Sequence, residues 1–110
     1  MSEFSVERRS LIRVLGHFRT IDPNMTVQQA LALLYVEEVT YQWEVERRLS
    51  VSDASASRAM SYWSPVREKN RPGHGMVQTV YDPMDRRQKL VSISDRGRKF
   101  LDKIYGFLRF

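Results

Sequence analysis

From Gly75 the chain reads Gly-Met-Val-Gln-Thr-Val-Tyr-Asp-Pro-Met-Asp-Arg-Arg and then runs directly into a second apolar stretch and a helix-forming segment. Apolar runs on either side of Asp82-Pro83 predict a β-hairpin over about 76–93, with Arg86 and Arg87 at its tip braced by Asp82 and Asp85. Seventeen residues before Gly75, Arg58 closes the segment Val51-Ser52-Asp53-Ala54-Ser55-Ala56-Ser57-Arg58, rich in small residues and hydroxyls. A cationic hairpin tip and a small, polar helical face point towards a polyanion.

The sequence has 110 residues, 42% of them apolar, which suits one domain over 1–110 with a modest core. No apolar run approaches the roughly 20 residues that cross a bilayer, and the N-terminus lacks the layout of a secretory signal. A cytoplasmic location without a membrane partner is expected. The absence of cysteine excludes disulfides, thiolate metal sites and thiol redox sensing, and His17 and His74 alone make no convincing metal site. No cofactor is expected. The net charge of +5 is uneven: residues 1–50 carry 6 Lys+Arg against 7 Asp+Glu, residues 51–110 carry 12 against 6. All of the excess positive charge therefore lies in the half that holds the hairpin.

Periodicity predicts five helices. The first spans about 3–19, with Phe4, Leu11, Leu15 and Phe18 as its apolar stripe, and Asp22-Pro23-Asn24 breaks it. The second begins at Thr26, with Gln29 completing a capping box and Val27, Ala30, Leu31, Leu34 and Tyr35 as its buried face, and ends near Glu38. A third runs from about Gln42 to Leu49. The fourth, over about 52–63 and capped by Ser52, turns Ala56, Ala59, Met60 and Trp63 inward and leaves Asp53, Ala54, Ser55, Arg58 and Tyr62 outside. Such a face lets a helix sink to a groove edge and donate hydrogen bonds there, although a plain solvated surface has the same composition. The last helix follows the hairpin. The expected class is α+β, mainly helical: a winged helix-turn-helix with a two-stranded β-hairpin wing, binding double-stranded DNA.

At this point the chain resembles the MarR family of winged-helix transcription regulators. The matching residues are Met25-Thr26 with Gln29, Leu49-Ser50-Val51-Ser52 leading into Ala56-Ser57-Arg58, Gly75-Met76-Val77, Asp82-Pro83-Met84-Asp85-Arg86-Arg87, and Ile93-Ser94-Asp95-Arg96-Gly97-Arg98, spanning about 25–105. The resemblance implies a recognition helix in the major groove and a wing that places an arginine, Arg87 by position, in the neighbouring minor groove. Asp85 then orients Arg87 through a charge-assisted hydrogen bond, and Arg86, Lys89, Arg67, Lys69 and Arg71 contact phosphates. A narrow minor groove concentrates negative potential, which favours a guanidinium over the more strongly hydrated ammonium of lysine. Ser52, Asp53, Ala54, Ser55, Ser57, Arg58 and Tyr62 form the expected reading face. Arg58 either pairs with guanine or holds a phosphate.

The same resemblance implies a homodimer paired through its first and last helices (about 1–20 and 94–110), to which Phe100, Leu101, Ile104, Phe107 and Leu108 would contribute, unless they serve as ordinary core. It also implies a small aromatic effector, for which Tyr35, Tyr41, Trp43 and Trp63 are the candidate lining residues, core packing being their other use. Repression is the default outcome, because a compact DNA binder without an activation segment acts by occluding polymerase.

Three features depart from the family pattern. The helix after the wing is the last before Phe110, so a dimer that is smaller, differently arranged or absent is expected. The loop 64–74 is longer than the family norm, and Ser64-Pro65 suggests a short helical turn in it. Glu46 and Ser50 stand where a small residue and a glycine are usual. No nucleophile-base set, phosphate-cradling glycine loop or metal-ligand cluster argues for an enzyme. The rival reading is a winged-helix module that binds an acidic protein partner within a transcription or replication complex.

Overall fold

Three helices open on a side chain that accepts from a free N–H of the first turn. The order is α1 (Ser5–Ile21), α2 (Val27–Val36), α3 (Gln42–Leu49), α4 (Asp53–Trp63), β1 (Val77–Asp82), β2 (Asp85–Ile93) and α5 (Asp95–Gly106) in the computed structural model, which describes residues 3–67 and 71–109. Asp22 ends α1 in an extended conformation and accepts from the Asn24 N–H at 2.9 Å. The expected capping box opens α2: Thr26 Oγ1 accepts from Gln29 N at 3.1 Å, and Gln29 Oε1 accepts from Thr26 N at 2.9 Å. Ser52 caps α4 and Ser94 caps α5, each accepting from the N–H three residues on.

The turn between α3 and α4 runs through Ser50, which adopts a left-handed conformation at φ 55°, ψ 47°. That conformation costs an L residue roughly 1–2 kcal/mol, which explains why glycine would suit this position. No helix among the described residues is long and apolar enough to cross a membrane.

Strands β1 and β2 pair antiparallel from Val77↔Ile93 to Tyr81↔Lys89, after which the register shifts so that Asp82 faces Asp85. Arg86, Arg87 and Gln88 are thus looped out of the ladder beside the turn. The hairpin is fastened at its base and along one edge. Ser94 Oγ donates to the Gly75 carbonyl at 2.6 Å while its N–H donates to the Met76 carbonyl, and Val91 N–H donates to the Thr40 carbonyl just before α3. Gly97 brings the first turn of α5 against the same segment: a Cβ there would lie 2.2 Å from the Met76 carbonyl oxygen.

One core serves all these elements, centred on Trp63, Leu33, Met60, Leu101, Ile104, Val45 and Val77. Trp63 Nε1 donates to the Gln29 carbonyl at 2.7 Å, tying α4 to α2. The inward face of α4 is the one its spacing predicts. That of α2 is not: Ala32, Leu33 and Val36 are buried, Ala30, Leu34 and Tyr35 are half-buried, and Val27 is 76% exposed. Most positions of α2 are apolar, so neighbours rather than periodicity choose its face. On α1 only Ser10 and Phe18 are buried, and Leu11, Ile12 and Leu15 lie exposed.

The last helix also departs from expectation. Phe100, Leu101 and Ile104 belong to the core of this chain rather than to a surface kept for a second copy, Phe107 is half-buried, and Leu108 is exposed. The His17 ring stacks on Phe100 at 4.8 Å and meets Phe107 edge-on at 5.8 Å, which docks α1 on α5. Ser64-Pro65 starts no helical turn, because Ser64 leaves α4 in an extended conformation and the chain folds back so that Val66 bridges Pro72. Gly97→Ala should destabilise the fold by about 1–3 kcal/mol in a denaturant titration, as overpacking against backbone does; an unchanged midpoint would contradict the close approach of α5 to Met76.

Candidate nucleic-acid interface

The N-terminal half of α4 carries a surface of short side chains. Asp53, Ala54 and Arg58 are exposed, as is the cap Ser52, and Ser55 and Ser57 are half-buried. Local hydrogen bonds order this surface: Ser52 Oγ donates to Ser55 Oγ at 3.1 Å, and an Nη2 hydrogen of Arg58 is donated to Ser55 Oγ at 3.2 Å. Short polar groups with defined orientation are what a helix needs at a groove edge.

Tyr62 does not belong to this surface. It is 2% exposed, and its hydroxyl donates to Asp22 Oδ2 at 2.7 Å, joining α4 to the end of α1. Its ring meets Trp63 and His74 edge-on. Burial and then the bond to Asp22 raise the phenol above its ordinary pKa. The helical wheel places Tyr62 near the outer edge of α4, and the segment around Asp22 together with the loop after α4 covers it.

At the wing tip the Asp82 carboxylate is buried and accepts from Met84 N–H at 2.8 Å, closing the turn. Asp85 grips Arg87 with both oxygens: Arg87 Nε donates to Oδ1 at 3.0 Å and Nη2 to Oδ2 at 3.1 Å, while Arg87 N–H also donates to Oδ1 at 3.1 Å. The Arg87 side chain nevertheless remains 90% exposed. These bonds hold the Asp85 carboxyl below the usual carboxylate range and raise the Arg87 guanidinium. Arg86 is exposed beside it, and the half-buried Lys89 places its ammonium over the Tyr81 ring at 5.4 Å.

Helix and wing meet at a cleft of about 230 Å³ lined by Asp53 and Ser57 from α4, Arg87, Gln88 and Lys89 from β2, and Gln42 and Trp43 from α3. Across it Trp43 Nε1 donates to Gln88 Oε1 at 2.9 Å, and Gln88 Nε2 in turn reaches Asp85 Oδ2 at 3.4 Å. The Trp43 ring is itself stacked with Tyr41 at 6.1 Å and carries the Arg47 guanidinium over it at 4.7 Å. Arg67 and Arg71 lie on a separate concavity with Arg58. Lys69 falls outside the described residues.

No protein-family model and no curated protein matches the sequence. Solved structures do match. A mutant of MepR from S. aureus, solved bound to an oligodeoxyribonucleotide, superposes with a TM-score of 0.71 at 14% identity, over 94% of this chain and 70% of that one. A MarR transcriptional regulator from Methanosarcina mazei gives 0.66 at 16% identity, over 94% and 68%. BpsR of Bordetella bronchiseptica, whose DNA binding is regulated by 6-hydroxynicotinic acid, gives 0.60 at 19% identity, over 94% and 75%. The chain has the MarR-type winged-helix fold. In that frame α3 and α4 form the helix-turn-helix and β1–β2 the wing.

Trp43 and Gln88 carry the tie between the two halves of this MarR-type unit, and sequence reasoning did not single out their pairing. They lie 45 residues apart, and the local sign is a tryptophan that is 40% exposed on α3. Nor do Tyr35, Tyr41, Trp43 and Trp63 share one use: Trp63 is core, Tyr41 and Trp43 brace the wing, and Tyr35 lies under the Arg48 guanidinium at 5.9 Å. The Tyr62–Asp22 bond has a pH signature. The hydrogen bond from Tyr62, followed by that from Asn24 N–H, depresses the Asp22 carboxyl. Its contribution is therefore complete above the ordinary carboxylate pKa of about 4 and is lost as pH falls through the lower native value. Tyr62→Phe should flatten the acid limb of the stability profile below about pH 4; a limb as steep as that of the unaltered protein would contradict this assignment.

Proposed function

We propose that the chain is a sequence-specific regulator of transcription that binds double-stranded DNA, with α4 in the major groove and the tip of the β1–β2 wing in the adjacent minor groove. The observation that carries this reading is the shared cleft: Arg87, gripped by Asp85 yet 90% exposed, stands beside Asp53 and Ser57 of α4. A guanidinium already held in one orientation loses less freedom on entering a groove, and its affinity rises where the groove is narrow. Ser52, Asp53, Ala54, Ser55 and Ser57 are the groove-facing residues of α4 in this reading, while Arg86 and Lys89 serve the backbone on the wing side.

Leu11, Ile12 and Leu15 support a homodimer, since exposed apolar residues at helical spacing on α1 suit a second copy. A two-fold pair of recognition helices would read half-sites about 34 Å apart. Repression by occlusion is the matching mode of action. A small aromatic effector enters this reading through the family resemblance and by analogy with BpsR.

The test is a binding titration on duplex DNA. Affinity should fall roughly 10³-fold between about 50 and 200 mM salt. Arg87→Ala should cost about 1–3 kcal/mol, with a larger loss on A/T-rich than on G/C-rich flanks. A protein that fails to bind a duplex even at the lowest salt would instead favour an acidic protein partner for the same face.

A further inference from the structure

The described residues between α4 and β1, 64–67 and 71–76, are fastened to one another and to α4. Val66 bridges Pro72, Arg67 N–H donates to the Arg71 carbonyl at 2.6 Å, and Gly73 N–H donates to the Pro65 carbonyl at 3.0 Å. Beneath these, His74 N–H donates to the Tyr62 carbonyl and Gly75 N–H to the Ser64 carbonyl, both at 3.2 Å. A Cβ at residue 73 would lie 1.8 Å from the Ser64 carbonyl oxygen, so glycine is what allows the loop to lie this close to α4. Residues 64–67 and 71–75 are therefore held in place against α4.

Its arginines converge with one from the helix. Arg67 places its guanidinium over the Tyr62 ring at 5.2 Å, and Arg58, Ser61, Arg67 and Arg71 surround one small concavity. Arg58 and Arg67 also border a neighbouring cleft of about 220 Å³ that includes Ser55. Among the described residues no carboxylate lies within 4.0 Å of Arg58, Arg67 or Arg71, whereas Arg48, Arg87 and Arg98 are each paired. Arg67 feels the Asp22 carboxylate only at longer range, across the Tyr62 ring, and an anion seated among the three guanidiniums gains attraction from each of them. A planar guanidinium fork suits the oxygens of a phosphate. The wing cleft draws on Asp53 and Ser57, and the loop clefts draw on Ser55 and Arg58, so the two flank α4 without sharing a residue of it.

We propose that Arg58, Arg67 and Arg71 form a second clamp on the DNA backbone, a phosphate site on the flank of α4 away from the wing. This rests on the DNA-binding reading above and adds to it. The reader then has three points of purchase, wing, helix and loop, and Arg58 anchors a phosphate instead of reading a base.

The experiment is a salt titration on a mixed-sequence duplex of about 30 base pairs, where binding depends on phosphate contacts alone. Arg71→Gln should make the slope of log affinity against log salt shallower by about 1, and Arg67→Gln/Arg71→Gln by about 2. Arg67→Lys/Arg71→Lys should keep most of the original slope, and unchanged melting temperatures show that the loop variants are folded. Folded Gln variants that retain the slope of the unaltered protein would overturn the clamp while leaving helix-and-wing binding intact. No duplex binding by the unaltered protein would overturn both. In a selection from random duplexes, Arg58→Gln should recover the same motif as the unaltered protein at lower affinity, and a motif changed at one base position would overturn the backbone role of Arg58.

Discussion

The wing keeps its place through hydrogen bonds at its base, along its β2 edge and near its tip, and the candidate interface depends on them. A two-stranded hairpin has marginal stability in water by itself, so its orientation must come from what it is fastened to. Ser94 clasps the start of β1 while capping α5, and the Trp43–Gln88 bond ties the far end of β2 to α3. Each such bond contributes a net of only about 0.5–1.5 kcal/mol, but together they remove the freedom of the hairpin to swing. Because α3 also packs on α4, a displacement of the wing would be felt by the helix.

Charge pairing at the tip serves orientation more than stability. Water screens an exposed ion pair and holding it costs side-chain entropy, so the Asp85–Arg87 bond adds little to folding. What it does is occupy Nε and Nη2 of the guanidinium and point the remaining edge outward. The bulge that loops Arg86, Arg87 and Gln88 out of the ladder makes this geometry available, since an in-register strand would alternate these side chains across the sheet. Gln88 then links the two devices, accepting from Trp43 and donating to Asp85.

Much of this was legible in the sequence where the physics is local. The caps at Thr26 and Ser52, the span Gln42–Leu49 and the Asp85–Arg87 brace each involve residues within a few positions of one another. What the sequence left open depends on distant neighbours. The apolar run of α2 fits several faces, and only packing by α3, α4 and β2 selects Ala32, Leu33 and Val36. Tyr62 sits at the outer edge of the helical wheel but is covered by Asp22, forty residues earlier. The Phe100, Leu101 and Ile104 stripe is equally suited to a dimer and to a core, and the approach of α5 to Met76 settles it inward. The Trp43–Gln88 tie has no local periodicity to announce it.

The most direct test of helix and wing acting as one rigid reader is a double-mutant cycle on duplex binding with Trp43→Phe and Arg87→Ala. Phenylalanine keeps an aromatic ring at residue 43 but removes the indole N–H that holds Gln88. If the tie positions the wing arginine, the two losses will fall short of additivity by about 0.5–3 kcal/mol, because an arginine no longer held in place has less to lose. Losses that add to within about 0.5 kcal/mol would show that Arg87 works independently of the bond to α3, and would contradict the account.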